Sequence, residues 1–283
     1  MQIEKVGVVG AGQMGNGIAH VAAAAGMQVV LQDISADALA NALVIIEKNL
    51  GRQVAKGRLE QDDATATLAR ISTTTDTADL GDADLIIEAA TENVDLKFRI
   101  FEGLDKVAKP GAILATNTSS ISVTAIAART SRPDAVVGMH FMNPVPVMKL
   151  VELIRGLATS DEAFEAVKAA AEKMGKTTVE SRDMPGFIVN RVLMPYINEA
   201  VFAVYEGIAS VEDIDTAMKL GTNVPMGPLR LADFIGLDTC LAIMEVLHDG
   251  MGGDSKYRAC PLLRKYVEAG WLGRKSGRGF YSY

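Results

Sequence analysis

The sequence predicts an α/β protein built on a doubly wound, mostly parallel sheet and followed by an all-helical C-terminal domain. Three observations lead there. A short apolar run, Lys5-Val6-Gly7-Val8-Val9, passes directly into the glycine turn Gly10-Ala11-Gly12-Gln13-Met14-Gly15 and then into an alanine-rich helical stretch. Strand-like and helix-like segments alternate as far as residue 183, the pattern of strands joined by helical crossovers. From Asp183-Met184-Pro185-Gly186 onward the pattern is helical with Gly and Pro punctuation. The expected division is therefore 1–183, a nucleotide-binding domain, and 184–283, a helical domain.

Each glycine of the turn has a separate task. Gly10 permits the sharp reversal, Gly12 lets backbone N–H groups approach a pyrophosphate, and Gly15 lets helix and strand pack closely. The helix expected over 14–25 aims its N-terminal dipole at that pyrophosphate, and Gly26 ends it. Gln28-Val29-Val30-Leu31-Gln32 makes a second strand and delivers Asp33 eighteen residues past Gly15, where a carboxylate can accept from an adenosine ribose. This order is Rossmann-like, with Gly10, Ala11, Gly12, Gln13, Met14, Gly15 and Asp33 as cofactor contacts. A 2′-phosphate would meet Asp33 as a like charge, and Ile34-Ser35-Ala36 offers no arginine, so the cofactor expected is NAD rather than NADP.

Ser35 is placed to cap a long helix through Ala38, Leu39, Leu43, Ile46 and Leu50, with a shorter helix over 62–70 beyond Gly57. The pair exceeds what one crossover needs. It predicts a helical hairpin over about 36–69 whose basic side carries Lys48, Arg52, Lys56 and Arg58. Further strands are expected at 71–74, 83–87, 112–116 and 135–139, with a helix over 94–108 stopped by Lys109-Pro110-Gly111. Strand-like stretches at 148–154 and 177–181 flank a helix that aligns Phe164, Val167, Ala171 and Met174. The helix over 187–206 is apolar on most of its circumference, which suits burial within the second domain or against another subunit.

Composition narrows the function classes. At 283 residues and 49% hydrophobic content, the chain can bury a sizeable core. A net charge of −7 and a pI of about 5.1 argue against a nucleic-acid partner. Cys240 and Cys260 are too few for a disulfide framework and lack metal-site spacing, so no metal is expected. The first strand begins close to Met1, and no apolar run reaches membrane-spanning length. The expected location is the cytoplasm, with no membrane partner.

Among the histidines, His20 lies among helical alanines and reads as a packed or surface residue, and His248 lies beside a glycine-rich loop. His140 ends a strand at the sheet edge where a dinucleotide lies, and its ordinary pKa near neutrality suits it to accept a proton as hydride leaves a carbinol. In Met148-Lys149-Leu150-Val151-Glu152-Leu153-Ile154, alternation puts Glu152 on the face of Leu150 and Ile154. A carboxylate on an apolar face needs a partner, and an imidazole N–H would serve. Surface pairing with Lys149 or Arg155 is the alternative, although neighbouring strand positions face opposite ways.

The whole chain resembles the 3-hydroxyacyl-CoA dehydrogenases, and within them the single-function bacterial 3-hydroxybutyryl-CoA dehydrogenases. The resemblance rests on the glycine turn together with Asn117-Thr118-Ser119-Ser120, His140-Phe141-Met142-Asn143-Pro144, Asp183-Met184-Pro185-Gly186-Phe187-Ile188-Val189-Asn190-Arg191 and Gly273-Arg274-Lys275-Ser276-Gly277-Arg278-Gly279-Phe280-Tyr281. It implies a His140–Glu152 catalytic pair, with Ser119 and Asn190 hydrogen-bonding the substrate near its reacting oxygen. By the same carry-over Glu92, Lys97, Ser119, Asn143 and Lys275 contact NAD, and Lys56 contacts CoA. Asn49 stands at a second CoA position where the family usually has serine. Taken alone, Glu92 and Lys97 also read as a capped, solvated helix start, Asn190 as a polar residue near a helix start, and Lys275 as a surface charge. The activity implied is NAD-dependent interconversion of (S)-3-hydroxyacyl-CoA and 3-oxoacyl-CoA by a homodimer or higher homo-oligomer. Two other readings are a dehydrogenase of a free hydroxy acid or sugar acid, similar to gulonate dehydrogenase, and a non-catalytic NAD-binding protein.

Overall fold

The computed structural model describes residues 2–283, which form two compact units, 2–184 and 185–283. In the first unit β1 (Lys5–Val9), α1 (Gln13–Ala24) and β2 (Gln28–Gln32) follow one another as the glycine turn requires. The hairpin comes next, as α2 (Ala36–Ala55) and α3 (Gln61–Ala69), with Ser35 Oγ accepting from Ala38 N at 3.2 Å to cap α2. β3 (Ile71–Thr74), β4 (Leu85–Glu88), α4 (Val94–Val107), β5 (Ile113–Thr116), α5 (Val123–Ala127) and β6 (Val136–Phe141) then alternate. β7 (Leu150–Arg155), α6 (Asp161–Lys173) and β8 (Thr177–Arg182) complete the unit.

The eight strands form one sheet in the order β3-β2-β1-β4-β5-β6-β7-β8. All neighbours are parallel except β6 and β7, which run antiparallel. The exception follows from chain length. The link over 142–149 is shorter than the dozen or so residues a parallel crossover needs, so β7 must return alongside β6, whereas α6 gives β8 the length to run parallel to β7.

Strand alternation assigns the two faces. Val8, Leu31, Leu85, Ile87, Val137 and Leu153 pack with residues of α1, α2 and α6, among them Ile18, Ile46 and Phe164. Each such side chain, fully buried, contributes roughly 1.5–3 kcal/mol. Gly138 and Ile154 turn to the other face, against Val123 of α5. His140 and Glu152 lie two residues from them along β6 and β7 and therefore share that face.

The second unit is helical: α7 (Val189–Tyr205), α8 (Val211–Thr222), α9 (Pro228–Ile235), α10 (Leu237–Gly250) and α11 (Pro261–Glu268). Its core gathers Ile197, Val201, Leu229, Met244, Tyr257 and Leu263. Buried Asp233 accepts from Phe280 N and Tyr281 N, both at 2.9 Å, while Asp215 accepts from Leu229 N at 2.8 Å and from the Tyr281 hydroxyl at 2.8 Å. These carboxylates fasten the C-terminal glycine-rich segment to α8 and α9. None of the described helices is long and apolar enough to cross a membrane.

Candidate active site

The glycine turn has the geometry that dinucleotide binding needs. Gly10 takes a positive φ of 98°, and a Cβ at Gly15 would collide with the Gly10 carbonyl oxygen. Nothing lies within 4 Å of where a Gly12 Cβ would stand, which leaves room for a pyrophosphate. Asp33 closes the turn from the side: its Oδ2 accepts from Ala11 N at 2.7 Å and its Oδ1 from Ser35 N at 2.9 Å. A carboxylate has about four acceptor positions, so ribose hydroxyls can still bond to it. A cavity of about 820 Å³ opens beside it, lined by Val9, Gly10, Gly12, Ile34, Ala89 and Leu96 among others, mostly apolar and wide enough for an adenosine. The residues present therefore fit NAD.

A second cavity, of about 410 Å³, lies between the turn, α2 and the segment after β6. Gln13, Asn16, Asn41, Asn49, Asn143 and Pro144 line it. Gln13, Asn143 and Asn49, singled out for different ligands, thus line one cavity from three sides. Met14 is half-buried and packs against the core. Lys56 does not line this cavity; it caps the C-terminus of α2 and is exposed, about two turns beyond Asn49.

His140 and Glu152 are opposed across β6 and β7, with Nδ1 2.7 Å from Oε2. Glu152 is fully buried and His140 nearly so, at 0% and 8% exposure. The surface pairings considered for Glu152 do not form: Arg155 bonds instead to Asp161 and Glu180, at 2.9 and 2.8 Å. An ionised Glu152 accepts only, so Nδ1 carries its proton and Nε2 is the basic nitrogen.

Ser119 sits in the turn after β5. Asn117 Oδ1 accepts from Phe141 N at 2.9 Å and ties that turn to the end of β6, next to His140. Glu92 Oε1 gathers the turn, accepting from Thr118 Oγ1 at 2.6 Å, Ser119 N at 2.9 Å and Ser120 Oγ at 2.9 Å. Burial alone would raise the Glu92 carboxyl, but Lys97 and the hydrogen bonds from Thr118, Ser120 and Ser119 hold it below the usual range.

The solvated-helix-start reading fails for Lys97. It is 1% exposed, and its Nζ donates to Glu88 Oε1 at 2.7 Å. Nor does Glu92 cap α4; Asn93 does, its Oδ1 accepting from Leu96 N at 2.9 Å. Sequence reasoning passed over Glu88, although an acid ending the apolar strand Leu85-Ile86-Ile87 carries the signal that exposed Glu152. In the second unit Asn190 is the second residue of α7, and Lys275 is exposed and pairs with Asp238 at 2.5 Å.

Comparison with known proteins decides the family. Residues 5–184 match the NAD-binding domain of 3-hydroxyacyl-CoA dehydrogenase, and residues 186–283 match its C-terminal domain. The chain belongs to the 3-hydroxyacyl-CoA dehydrogenase family. It is an NAD-dependent oxidoreductase of that family, as its motifs imply. A 3-hydroxybutyryl-CoA dehydrogenase of Bradyrhizobium diazoefficiens is 60% identical over 99% of this chain and 96% of its own length. One from Clostridioides difficile is 50% identical over 99% of each chain. The crystal structure of (S)-3-hydroxybutyryl-CoA dehydrogenase from Ralstonia eutropha superimposes with a TM-score of 0.98 at 52% identity, covering 100% of this chain and 99% of that one.

Proposed function

We propose that the chain interconverts (S)-3-hydroxybutyryl-CoA and acetoacetyl-CoA, with His140 as the general acid–base and Glu152 as its orienting partner. The observation that carries this reading is the buried 2.7 Å contact between His140 Nδ1 and Glu152 Oε2 at the edge of a dinucleotide-binding sheet. In the oxidative direction His140 Nε2 takes the proton of the substrate hydroxyl as that carbon gives up its hydride. Glu152 holds the imidazole in the tautomer that makes Nε2 basic and stabilises the imidazolium once it forms. Bound NAD supplies the acceptor for the hydride. Ser119 donates to the reacting oxygen, which steadies the charge that develops there in the reductive direction.

Asp33 and the glycine turn hold the adenosine and pyrophosphate, while Glu92, Lys97 and Asn143 serve the nicotinamide end. Lys56, exposed at the C-terminal end of α2, and half-buried Asn49, about two turns before it, hold the CoA nucleotide. The roles of Asn190 toward substrate and Lys275 toward cofactor rest on the family motifs. A second copy of this chain is the proposed partner, supported by apolar side chains of the second unit left at the surface, including Val192, Leu220 and Phe234, which are 67%, 81% and 60% exposed. The cytoplasm is the proposed location.

The near-full-length likeness to 3-hydroxybutyryl-CoA dehydrogenases supports a four-carbon CoA thioester over a free hydroxy acid. NADH oxidation followed with acetoacetyl-CoA and with free acetoacetate tests it. Turnover of the thioester alone is expected. Equal turnover of free acetoacetate would return the free-acid reading, and no turnover of either would favour a non-catalytic role.

A further inference from the structure

We propose that Glu88 is a positioning residue for the reaction, acting through Lys97 and Glu92 on the turn that carries Ser119. The inference rests on the reading that Ser119 touches the substrate.

Glu88 is the last residue of β4, in a strand with no exposed position, and its own exposure is 0%. A carboxylate there must be fully bonded. It is: Oε1 accepts from Lys97 Nζ and from Ala90 N, each at 2.7 Å, and Oε2 accepts from Thr116 Oγ1 at 2.8 Å. These contacts join the ends of β4 and β5 to the first turn of α4. They also fix Ala90, whose neighbourhood lines the dinucleotide cavity.

Lys97 is shared unequally. Its Nζ lies 2.7 Å from Glu88 Oε1 and 3.4 Å from Glu92 Oε2. The Glu92 side chain, 37% exposed, stands at the rim, while Glu88 and Lys97 lie beneath it. Glu92 therefore turns Oε2 to the ammonium and leaves Oε1 for Thr118, Ser119 and Ser120. A pair serving stability alone would need only Glu88 and Lys97. Here the buried acid holds the cation low enough that the rim acid keeps its grip on the Ser119 turn.

Removing the Glu88 charge frees Lys97 to close on Glu92, drawing that carboxylate away from the Ser119 and Ser120 N–H groups. A displacement of the order of 1 Å at a reacting group is enough to cost about a hundredfold in rate. The effect should fall on kcat, because the nucleotide end of CoA is chemically remote from the reacting carbon that Ser119 serves.

The test is a set of kcat and KM measurements with NADH and acetoacetyl-CoA, each variant checked by thermal unfolding. Ser119→Ala should lower kcat about 10–100-fold. Glu88→Gln should lower it about 5–50-fold with less than a threefold change in KM for the thioester. Thr116→Val removes one bond to Glu88 at nearly constant volume, and it should lower kcat about two- to fivefold. Combined with Ser119→Ala, neither Glu88→Gln nor Thr116→Val should lower kcat by more than a further twofold, since each acts through Ser119. Effects that multiply in the double variants, or a Glu88→Gln enzyme with wild-type kcat, overturn the proposal. If Glu88→Gln does not fold, the Thr116→Val pair decides by the same criterion. Wild-type kcat in Ser119→Ala would overturn the reading of Ser119 itself, and the role of Glu88 with it, in a variant that leaves Glu88 untouched.

Discussion

Glu152 meets His140 directly across the antiparallel pair β6 and β7, with 2.7 Å between Oε2 and Nδ1 and no solvent on the carboxylate. The contact exists because the short link over 142–149 forces the strand to return and sets residue 152 opposite residue 140. A charged hydrogen bond contributes roughly 1.5–3 kcal/mol and a neutral one about 0.5–1.5. Glu152→Gln should therefore lower kcat by about 5–30-fold, less than loss of the base itself, with a lower Tm from the altered buried pair. Unchanged kcat beside a lowered Tm would make Glu152 a residue of the fold alone.

Asp33 is the residue proposed to set cofactor choice. Its carboxylate bonds to Ala11 N and Ser35 N and has acceptor positions left for a ribose, but it would repel a 2′-phosphate. Steady-state kinetics should give kcat/KM for NADH at least about tenfold above NADPH, the equivalent of ~1.4 kcal/mol. A preference for NADPH would mean that a basic group elsewhere outweighs Asp33.

Lys56 supplies positive charge locally on an acidic protein. Lys56→Ala should raise KM for acetoacetyl-CoA by about threefold to a hundredfold with little loss of kcat, because the CoA nucleotide is remote from the reacting carbon. Acetoacetyl-pantetheine, which lacks the nucleotide, is the control and should be turned over equally by both proteins. Equal damage with both substrates would assign Lys56 to the fold, and damage with neither would put CoA elsewhere.

His20 predicts an acid-side loss of stability. Burial, and secondarily the charge of Lys176, push its imidazole from 6.5 down to about 4. Above pH 6.5 both native and unfolded chains hold it neutral. As pH falls toward 4 the unfolded chain gains a proton that the native state refuses, so stability drops by up to about 3 kcal/mol. Denaturant unfolding at pH 7, 6, 5 and 4 should show a shallower decline for His20→Gln than for the wild type. Parallel declines would show that His20 is protonated alike in both states.

The order of strands and helices was legible because each element carries its own period and its own punctuation. Ser35, Gly26 and Gly175 mark ends that the chain respects. Glu152 could be found as an acid on an apolar face, and its partner as the nearest imidazole at a strand end. The reversal of β7 was legible only as a loop length, and strand orientation was not drawn from it. Taken alone, Lys97 also reads as a solvated charge, because the sequence shows its charge but not the buried Glu88 beneath it. Asp183 illustrates the same limit. Its carboxylate accepts from Ser122 Oγ, Val123 N and Thr124 N at 2.7, 3.0 and 2.7 Å, a cap on α5 supplied from sixty residues away. Long-range polar contacts of this kind leave no period in the chain.

The most direct test of the account is His140→Gln, with NADH binding and turnover measured on the same preparation. If His140 is the acid–base, kcat with acetoacetyl-CoA should fall about 10²–10⁴-fold, while NADH binding, followed by its fluorescence, stays within about twofold of wild type. A kcat within threefold of wild type, or a loss of NADH binding in proportion to the loss of rate, would contradict it.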